Sequence, residues 1–264
     1  MDLGLKNKIS IITGGSDGIG KATAISLSSE GSKVAIIGRN EKKLDAAVKE
    51  IISITSGEVI GISADVSNEN DVKKMVNNVV KKWGGIDILI NNAGTSSATS
   101  LENITDEQIK IDFGIKVYGA IYCARNSLKY LKESGSGVII NTTTPGGKAS
   151  GPSGQPTSLS RAAGISLTKS WAGELAKYNI RVNTICVGLL KSGQHRNRWE
   201  IANKENPEYS IENHWKKLGQ NVPLGNRVGE AHEAGDVICF LASNKASYVT
   251  GTAINVDGGT SPVI

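Results

Sequence analysis

A β-branched apolar run of buried-strand length, KISIIT (8–13), passes directly into the glycine-rich turn TGGSDGIG (13–20) and then into a helical stretch predicted over 21–29. The order strand, glycine turn, helix is the entry to a parallel α/β sheet. Glycine permits the tight turn, lets backbone approach a pyrophosphate and allows close packing of helix on sheet, while the helix N-terminus attracts negative charge.

The same alternation continues along the chain. Strands are predicted at KVAIIG (33–38), EVIGIS (58–63), IDILINN (86–92), GVIINT (137–142), RVNTICV (181–187) and TAINVDG (252–258). Between them the pattern predicts helices over about 41–54, 69–83, 105–133 and 157–177. Short β-branched runs alternating with amphipathic helices specify a parallel sheet covered on both faces, because the crossover connections place helices there. The expected fold is therefore a doubly wound parallel sheet of Rossmann type, one domain over residues 1–264. No repeat period and no linker divides the chain. One stretch, 189–224, breaks the alternation and is rich in Asn, Lys, Arg and Trp. It is too long for an ordinary connection and is expected to be a substrate lid with short helices.

Composition narrows the function classes. Hydrophobic residues make up 39% and charged residues 21% of the 264, enough to bury a core. No stretch approaches the apolar length of a membrane span and no secretory leader is visible, so the protein is expected to be cytoplasmic and not membrane-bound. The formal charge of +5 is spread among acids instead of gathered in a block, which argues against a nucleic-acid partner. Cys123, Cys186 and Cys239 form no CxxC pair, and His195, His214 and His232 have no metal-ligand spacing, so no metal is expected.

TGGSDGIG resembles the TGxxxGIG fingerprint of the short-chain dehydrogenase/reductase family. NNAG (91–94) follows the fourth strand as in that family, ADV (64–66) is similar to its adenine-binding segment, and GTAINVDGG (251–259) to its closing strand. The resemblance implies a nicotinamide cofactor held by Gly14, Ser16, Gly18, Ile19, Gly20, Asp65, Val66, Asn91, Ala93, Gly94 and Arg161, with Gly188, Leu190 and Ser192 beside the nicotinamide. At the end of the second strand Gly38-Arg39-Asn40 offers no acid for a ribose hydroxyl, and Arg39 suits a 2′-phosphate, so NADP(H) is favoured over NAD(H). Asp17, in the glycine loop, weighs the other way. Arg39 as a merely solvated charge is the alternative.

The catalytic positions depart from the family pattern. Its serine is replaced by Thr144, its tyrosine by Thr157, its lysine one turn later by Arg161 and its central-helix asparagine by Lys116. No tyrosine lies between Tyr130 and Tyr178 to restore the phenol. An aliphatic hydroxyl is far less acidic than a phenol, which makes Thr157 a poor proton donor by itself. Thr144 keeps a hydroxyl, and Arg161 keeps the ability to bind ribose hydroxyls. Lys116, partly buried beside another cation, would have its pKa pushed down and is the first candidate for an alternative acid or base; otherwise it points outward or pairs with Asp112. His195 is a second candidate, or a solvated loop histidine.

Three functions remain open: a hydride-transferring oxidoreductase acting on a carbonyl or alcohol with a non-standard proton donor, a lyase or isomerase on the same fold, and a cofactor binder without turnover. The resemblance implies a homo-oligomer, expected to be a tetramer, with Ala162, Ala163 and Gly164 permitting close helix approach. A small-molecule substrate is expected, and an anionic one if Lys116, Arg161, Lys191, His195, Arg196 and Arg198 converge on one cleft.

Overall fold

In the computed structural model, which describes residues 1–264, seven strands form one wholly parallel sheet. The strands are β1 (Ile9–Thr13), β2 (Lys33–Gly38), β3 (Val59–Ser63), β4 (Ile88–Asn91), β5 (Val138–Thr143), β6 (Arg181–Val187) and β7 (Ala253–Val256). Their spatial order is β3-β2-β1-β4-β5-β6-β7, so the direction of winding reverses between β1 and β4. In doubly wound sheets ligands bind at the carboxyl ends of the strands beside such a reversal.

Alternate residues of each strand feed alternate faces. Val34 and Ile36 of β2, Ile88 and Ile90 of β4, and Val138 and Ile140 of β5 enter one apolar cluster. Their neighbours Ala35, Ile37, Leu89 and Ile139 enter the other. The first cluster is closed by α1 (Gly18–Ser29), α2 (Glu41–Thr55) and α9 (Ala231–Ala242), through residues such as Leu27, Leu44, Ile51 and Ile238. The second is closed by α3 (Glu69–Trp83), α5 (Gly119–Glu133) and α6 (Thr157–Leu175), through Met75, Val76, Cys123 and Leu175. Both faces being covered, the strands read as continuous apolar runs.

Three differences from the sequence expectations matter for the site. Helix α1 starts at Gly18 instead of Lys21, because the Asp17 side chain caps it by accepting from Gly18 N. The helix expected over 105–133 is a relay: α4 (Asp106–Phe113), a π-helical segment (Gly114–Tyr118), then α5. A π-segment inserts residues into the helical ladder and re-aims side chains, and such insertions recur at functional sites; Lys116 lies within this one. Helix α9 was not anticipated at all. The stretch 189–224 carries α7 (Gly193–Glu205) and α8 (Ile211–Gly219).

Candidate active site

The glycine turn and the NNAG segment hold each other in place. Thr13 Oγ1 accepts from the backbone N of Asn92 at 2.9 Å and of Ala93 at 3.0 Å. The Asn92 amide donates back to the carbonyls of Thr13 and Gly14, at 3.1 Å each. Gly14, with φ +65°, passes so close to this segment that a Cβ on it would lie 3.0 Å from Ala93 Cα, and a Cβ on Gly20 would lie 2.2 Å from the Gly14 carbonyl oxygen. Gly20 thus serves the packing of α1 on the turn and does not line the cleft, while Gly14, Ser16, Gly18 and Ile19 do.

The cleft has two connected chambers that share Gly14, Ser16, Lys43, Gly94 and Thr95. One, about 620 Å³, is bounded by Gly38, Arg39, Asn40, Lys43, Asp65, Val66 and Ala93. The Asp65 carboxylate is tied into its own turn by Ser67, whose Oγ donates at 2.6 Å. The other chamber, about 640 Å³, runs between the glycine turn, the loop after β5 and the start of α7, and Thr144, Thr157, Arg161, Gly188, Leu190 and Ser192 all line it. Gln194 ties α7 to the NNAG segment by donating to the Gly94 carbonyl at 3.2 Å.

Asn91 departs from expectation. Its side chain turns into the sheet, where the amide donates to Asn141 Oδ1 at 2.9 Å, and it is Asn92 that reaches the cleft. A last strand residue alternates inward when its neighbour faces the ligand end.

Behind Thr157 lies a buried polar cluster centred on Asp112, whose side chain is fully enclosed. Its Oδ2 accepts from Lys116 Nζ at 2.5 Å, Ser97 Oγ at 2.6 Å and Thr157 Oγ1 at 3.1 Å, and its Oδ1 accepts from Ser160 Oγ at 2.5 Å. Burial alone would raise the Asp112 pKa, but hydrogen bonds from Lys116, Ser160 and Ser97, together with the charge of Lys116, outweigh it and hold the carboxyl below its ordinary value. Thr157 Oγ1 also receives Ser97 N at 3.0 Å and Lys116 Nζ at 3.4 Å.

Lys116 therefore does both things its sequence context suggested: it pairs with Asp112, and it is buried. Its pKa falls to about 8, first through burial and then through the positive charge of Arg161, with Asp112 opposing. It does not line the outer cleft; it borders a cavity of about 20 Å³ behind it, next to Arg161 and Asn141. Thr157 is the group that touches both Lys116 and the cleft. Arg161 donates to the Thr142 carbonyl at 2.6 Å and its guanidinium packs under Gly94, where a Cβ would lie 3.0 Å from it. Burial draws its pKa down to about 10, so it remains a cation at neutral pH.

The expected convergence of cations is partial: Arg161, His195 and Arg198 line the cleft, Lys116 lies behind it, and Lys191 and Arg196 stand outside it. Lys191 pairs with Glu230, and Arg196 lies 3.9 Å from Asp17. Lys116 is neutralised by Asp112, which leaves Arg161 and Arg198 facing the cleft without a carboxylate partner of their own. His195 lines the cleft edge-on to Trp215, and burial, then the nearby Arg198 charge, lowers its pKa. Gly164 turns inward, its absent Cβ 3.1 Å from Thr143, and so does not sit on an outer helix face. Sequence reasoning missed Lys43, Ser97, Ser160 and Gln194, and gave Asp112 only as an alternative partner of Lys116. Lys43 carried a signal, since it follows Arg39 by one helical turn. The two serines carried none.

The family model described as Enoyl-(Acyl carrier protein) reductase matches residues 14–261. A 3alpha-hydroxysteroid dehydrogenase of Mediterraneibacter gnavus is 35% identical over 255 residues, covering 96% of this chain and 97% of that protein. The structure of L-sorbose reductase from Gluconobacter frateurii, complexed with NADPH and L-sorbose, superposes with a TM-score of 0.95 at 28% identity, covering 100% of both chains. An NAD+-bound xylitol dehydrogenase superposes with a TM-score of 0.86 at 29% identity, over 97% of this chain and 99% of that one. With its fingerprint turn, its strand order and these full-length matches, the chain belongs to the short-chain dehydrogenase/reductase family.

Proposed function

We propose that this protein is an NADP(H)-preferring oxidoreductase that interconverts a ketone and a secondary alcohol, with Thr157 passing a proton between Lys116 and the substrate oxygen. The observation that carries this reading is the position of Thr157, a residue that lines the cleft and whose Oγ1 lies 3.4 Å from the buried Lys116 ammonium, with its pKa of about 8.

The residues present fit a dinucleotide. The glycine turn brings the N-terminus of α1 to the cleft, capped there by Asp17, and a Cβ on Gly18 would point at Ser192 across the cleft, 3.6 Å away. Arg39 and Lys43 line the chamber where a ribose would sit, two cations with no carboxylate from the second strand, which supports a 2′-phosphate. Relatives with NADPH and with NAD+ both occur, so the preference rests on these two side chains. When bound, the cofactor supplies or accepts the hydride.

In the reducing direction the carbonyl carbon gains the hydride and the carbonyl oxygen gains one proton, so ketone, reduced cofactor and a proton give alcohol and oxidised cofactor. Thr144 Oγ donates a hydrogen bond to the carbonyl oxygen. Thr157 gives its hydroxyl proton to that oxygen while taking one from Lys116 Nζ, so a free threonine alkoxide never forms. Asp112 stays ionised throughout and holds Lys116, Ser97, Ser160 and Thr157 in register. Arg161, fixed on the Thr142 carbonyl, takes the ribose-binding place of the family lysine. Helices α7 and α8 act as the lid over this chemistry.

A cofactor binder without turnover is the second reading, favoured by the internal saturation of the cluster, since Thr157 already gives its proton to Asp112. Following cofactor absorbance with a panel of ketones and alcohols tests the choice: turnover abolished by Lys116→Met but not by Lys82→Ala, at an exposed position of α3, supports the relay, and no turnover with any substrate supports the binder. Three buried free cysteines suit a reducing compartment, which supports a cytoplasmic location. Ile111, Tyr118 and Leu159, all more than half exposed around α4, the π-segment and α6, support a homotetramer built on these helices.

A further inference from the structure

We propose that the ligand of the outer chamber is a neutral polyhydroxylated small molecule, held through its hydroxyl groups by the first two turns of α7. This deepens the oxidoreductase reading, which it needs only to say which carbon reacts.

Four segments build the chamber beyond the glycine turn: Thr95 and Ser96 after β4, Thr144, Pro145, Gly146 and Ala149 after β5, Gln194, His195, Asn197 and Arg198 on α7, and Thr260 to Pro262 after β7. None of these carries a large aliphatic or benzenoid side chain. The bulkier apolar residues, Ile19, Val187, Leu189 and Leu190, belong to the glycine-turn and β6 side. Small-molecule pockets are ordinarily lined by apolar side chains with a few polar ones fixing orientation; on the α7 side of this chamber the side chains are polar. An apolar ring or acyl chain placed against α7 would strip water from these groups and return nothing.

The polar groups are free to bind. Helix α7 buries none of its 13 residues fully, so its cleft side is not committed to the core. The exposed side chains of Asn197 and Arg198 have no hydrogen-bond or ion-pair partner within the chain, and the enclosed Nδ1 of His195 has none either. Gln194, whose amide nitrogen is spent on Gly94, keeps its carbonyl oxygen. The set therefore offers donors only (Arg198), an acceptor (Gln194) and groups that do both (Asn197 and the imidazole). A row of hydroxyls, each donor and acceptor at once, matches this mixture. An anion matches it less well. Lys191 and Arg196, the other cations of this stretch, are occupied by Glu230 and Asp17, and burial together with Arg198 favours the uncharged form of His195.

The test uses the protein saturated with oxidised cofactor, on which ketones bind without reacting. Calorimetry compares a ketohexose with 2-hexanone, cyclohexanone and a hexonate, in wild type and in Asn197→Leu with Arg198→Leu. The ketohexose is expected to bind at least about tenfold more tightly than either deoxygenated ketone, because a site built for hydroxyls rejects analogues lacking them. The double variant is expected to reduce that gap to about twofold or less while keeping wild-type cofactor affinity and thermal unfolding. Equal or tighter binding of the deoxygenated ketones, preference for the hexonate, or binding of no member overturns the proposal. Turnover with reduced cofactor is followed in parallel. Ketohexose binding without cofactor consumption leaves the ligand class standing and removes the redox reading; reduction of cyclohexanone but not of the ketohexose does the reverse.

Discussion

Asp112 and Lys116 face each other across one turn of the helix that enters the π-segment, carboxylate and ammonium 2.5 Å apart and both side chains almost wholly enclosed. An ion pair so placed is costly to bury and strongly destabilising to break on one side. The proposed proton relay starts from this pair.

The first expectation concerns pH. In the proposed relay protonated Lys116 is the proton source for reduction, and its pKa is about 8. The rate of ketone reduction should therefore hold between pH 6 and 7 and fall as the pH rises through about 8, while alcohol oxidation rises over the same interval. Lys116→Asn should lower turnover by about 10² to 10⁴ and erase this limb without weakening cofactor binding. A pH profile of kcat for wild type and variant checks it, and an unchanged profile in the variant would falsify the lysine assignment.

The second concerns stability. Asp112→Asn leaves Lys116 buried without its counter-charge and should cost about 3–5 kcal/mol at pH 7. The loss should shrink as the pH rises. Lys116 is already depressed to about 8 from 10.5, and removing Asp112 takes away the group that opposed the depression. The folded variant thus sheds its proton at lower pH than wild type, whereas the unfolded chain keeps it up to 10.5, so stability rises with pH across that window. In wild type the depressed carboxyl of Asp112 adds a dependence of the same sign in a lower window, a contribution present above its ordinary 3.8 and lost as the pH falls through the folded value. Urea unfolding at pH 7 and pH 9 measures the lysine contribution, and unfolding at pH 3 and pH 5 that of the carboxyl.

The third separates relay from scaffold. Thr157→Val keeps volume but removes the hydroxyl between Lys116 and the cleft, and should lower kcat by about 10² or more with little change in KM. Thr157→Tyr combined with Arg161→Lys restores the family pair; in a protein that binds cofactor productively, it should reduce simple ketones even with Lys116 replaced. Steady-state kinetics on the three proteins decides, and a Thr157→Val enzyme as fast as wild type removes Thr157 from the proton path.

Local pattern carried most of the fold into the sequence. The strands are β-branched runs bounded by turns, and their observed limits fall within two residues of the expected ones at β1, β2, β3, β5 and β6. The π-segment was invisible, because inserting residues into a helix changes which way Lys116 points without changing the apolar period by much. Asn91 and Asn92 could not be told apart by motif, since which one faces the ligand depends on where β4 ends. The pairs that engage Lys191 and Arg196, with Glu230 and Asp17 respectively, join residues far apart in the chain. Ser97 and Ser160 looked like ordinary small polar residues until the fold brought both to one carboxylate.

The fourth concerns cofactor choice. Arg39→Ala and Lys43→Ala each remove one cation from the ribose chamber. Each should weaken NADPH binding by roughly 10- to 100-fold, the range for a hydrogen bond to a charged group, and leave NADH binding within about twofold. Calorimetric titration of both cofactors checks it. Equal losses for the two cofactors would mean that these side chains serve the chamber's shape and not a phosphate.

The last concerns Asp17, which links the glycine turn to α7. Its Oδ1 accepts from Gly18 N at 2.7 Å, Arg196 of α7 lies 3.9 Å away, and a Cβ on Gly193 would fall 2.2 Å from its Oδ2. The carboxylate thus occupies the N-terminal end of α1, where a pyrophosphate would be drawn, and meets the first turn of α7. Asp17→Ser keeps a capping oxygen and removes the charge. It should tighten binding of both cofactors by up to about fivefold, the effect of relieving an exposed like-charge contact of ~1 kcal/mol, and the gain should fade at high salt. Gly193→Ala in wild type forces the new methyl against the carboxylate, so α7 or Asp17 must move; in the Asp17→Ser background the shorter side chain leaves room for it. The two substitutions should therefore be non-additive in both cofactor affinity and Tm, with the alanine better tolerated after the serine change. Additivity within about 0.5 kcal/mol in a double-mutant cycle would show that Asp17 and α7 act independently, and the lid would then need another anchor on the glycine turn.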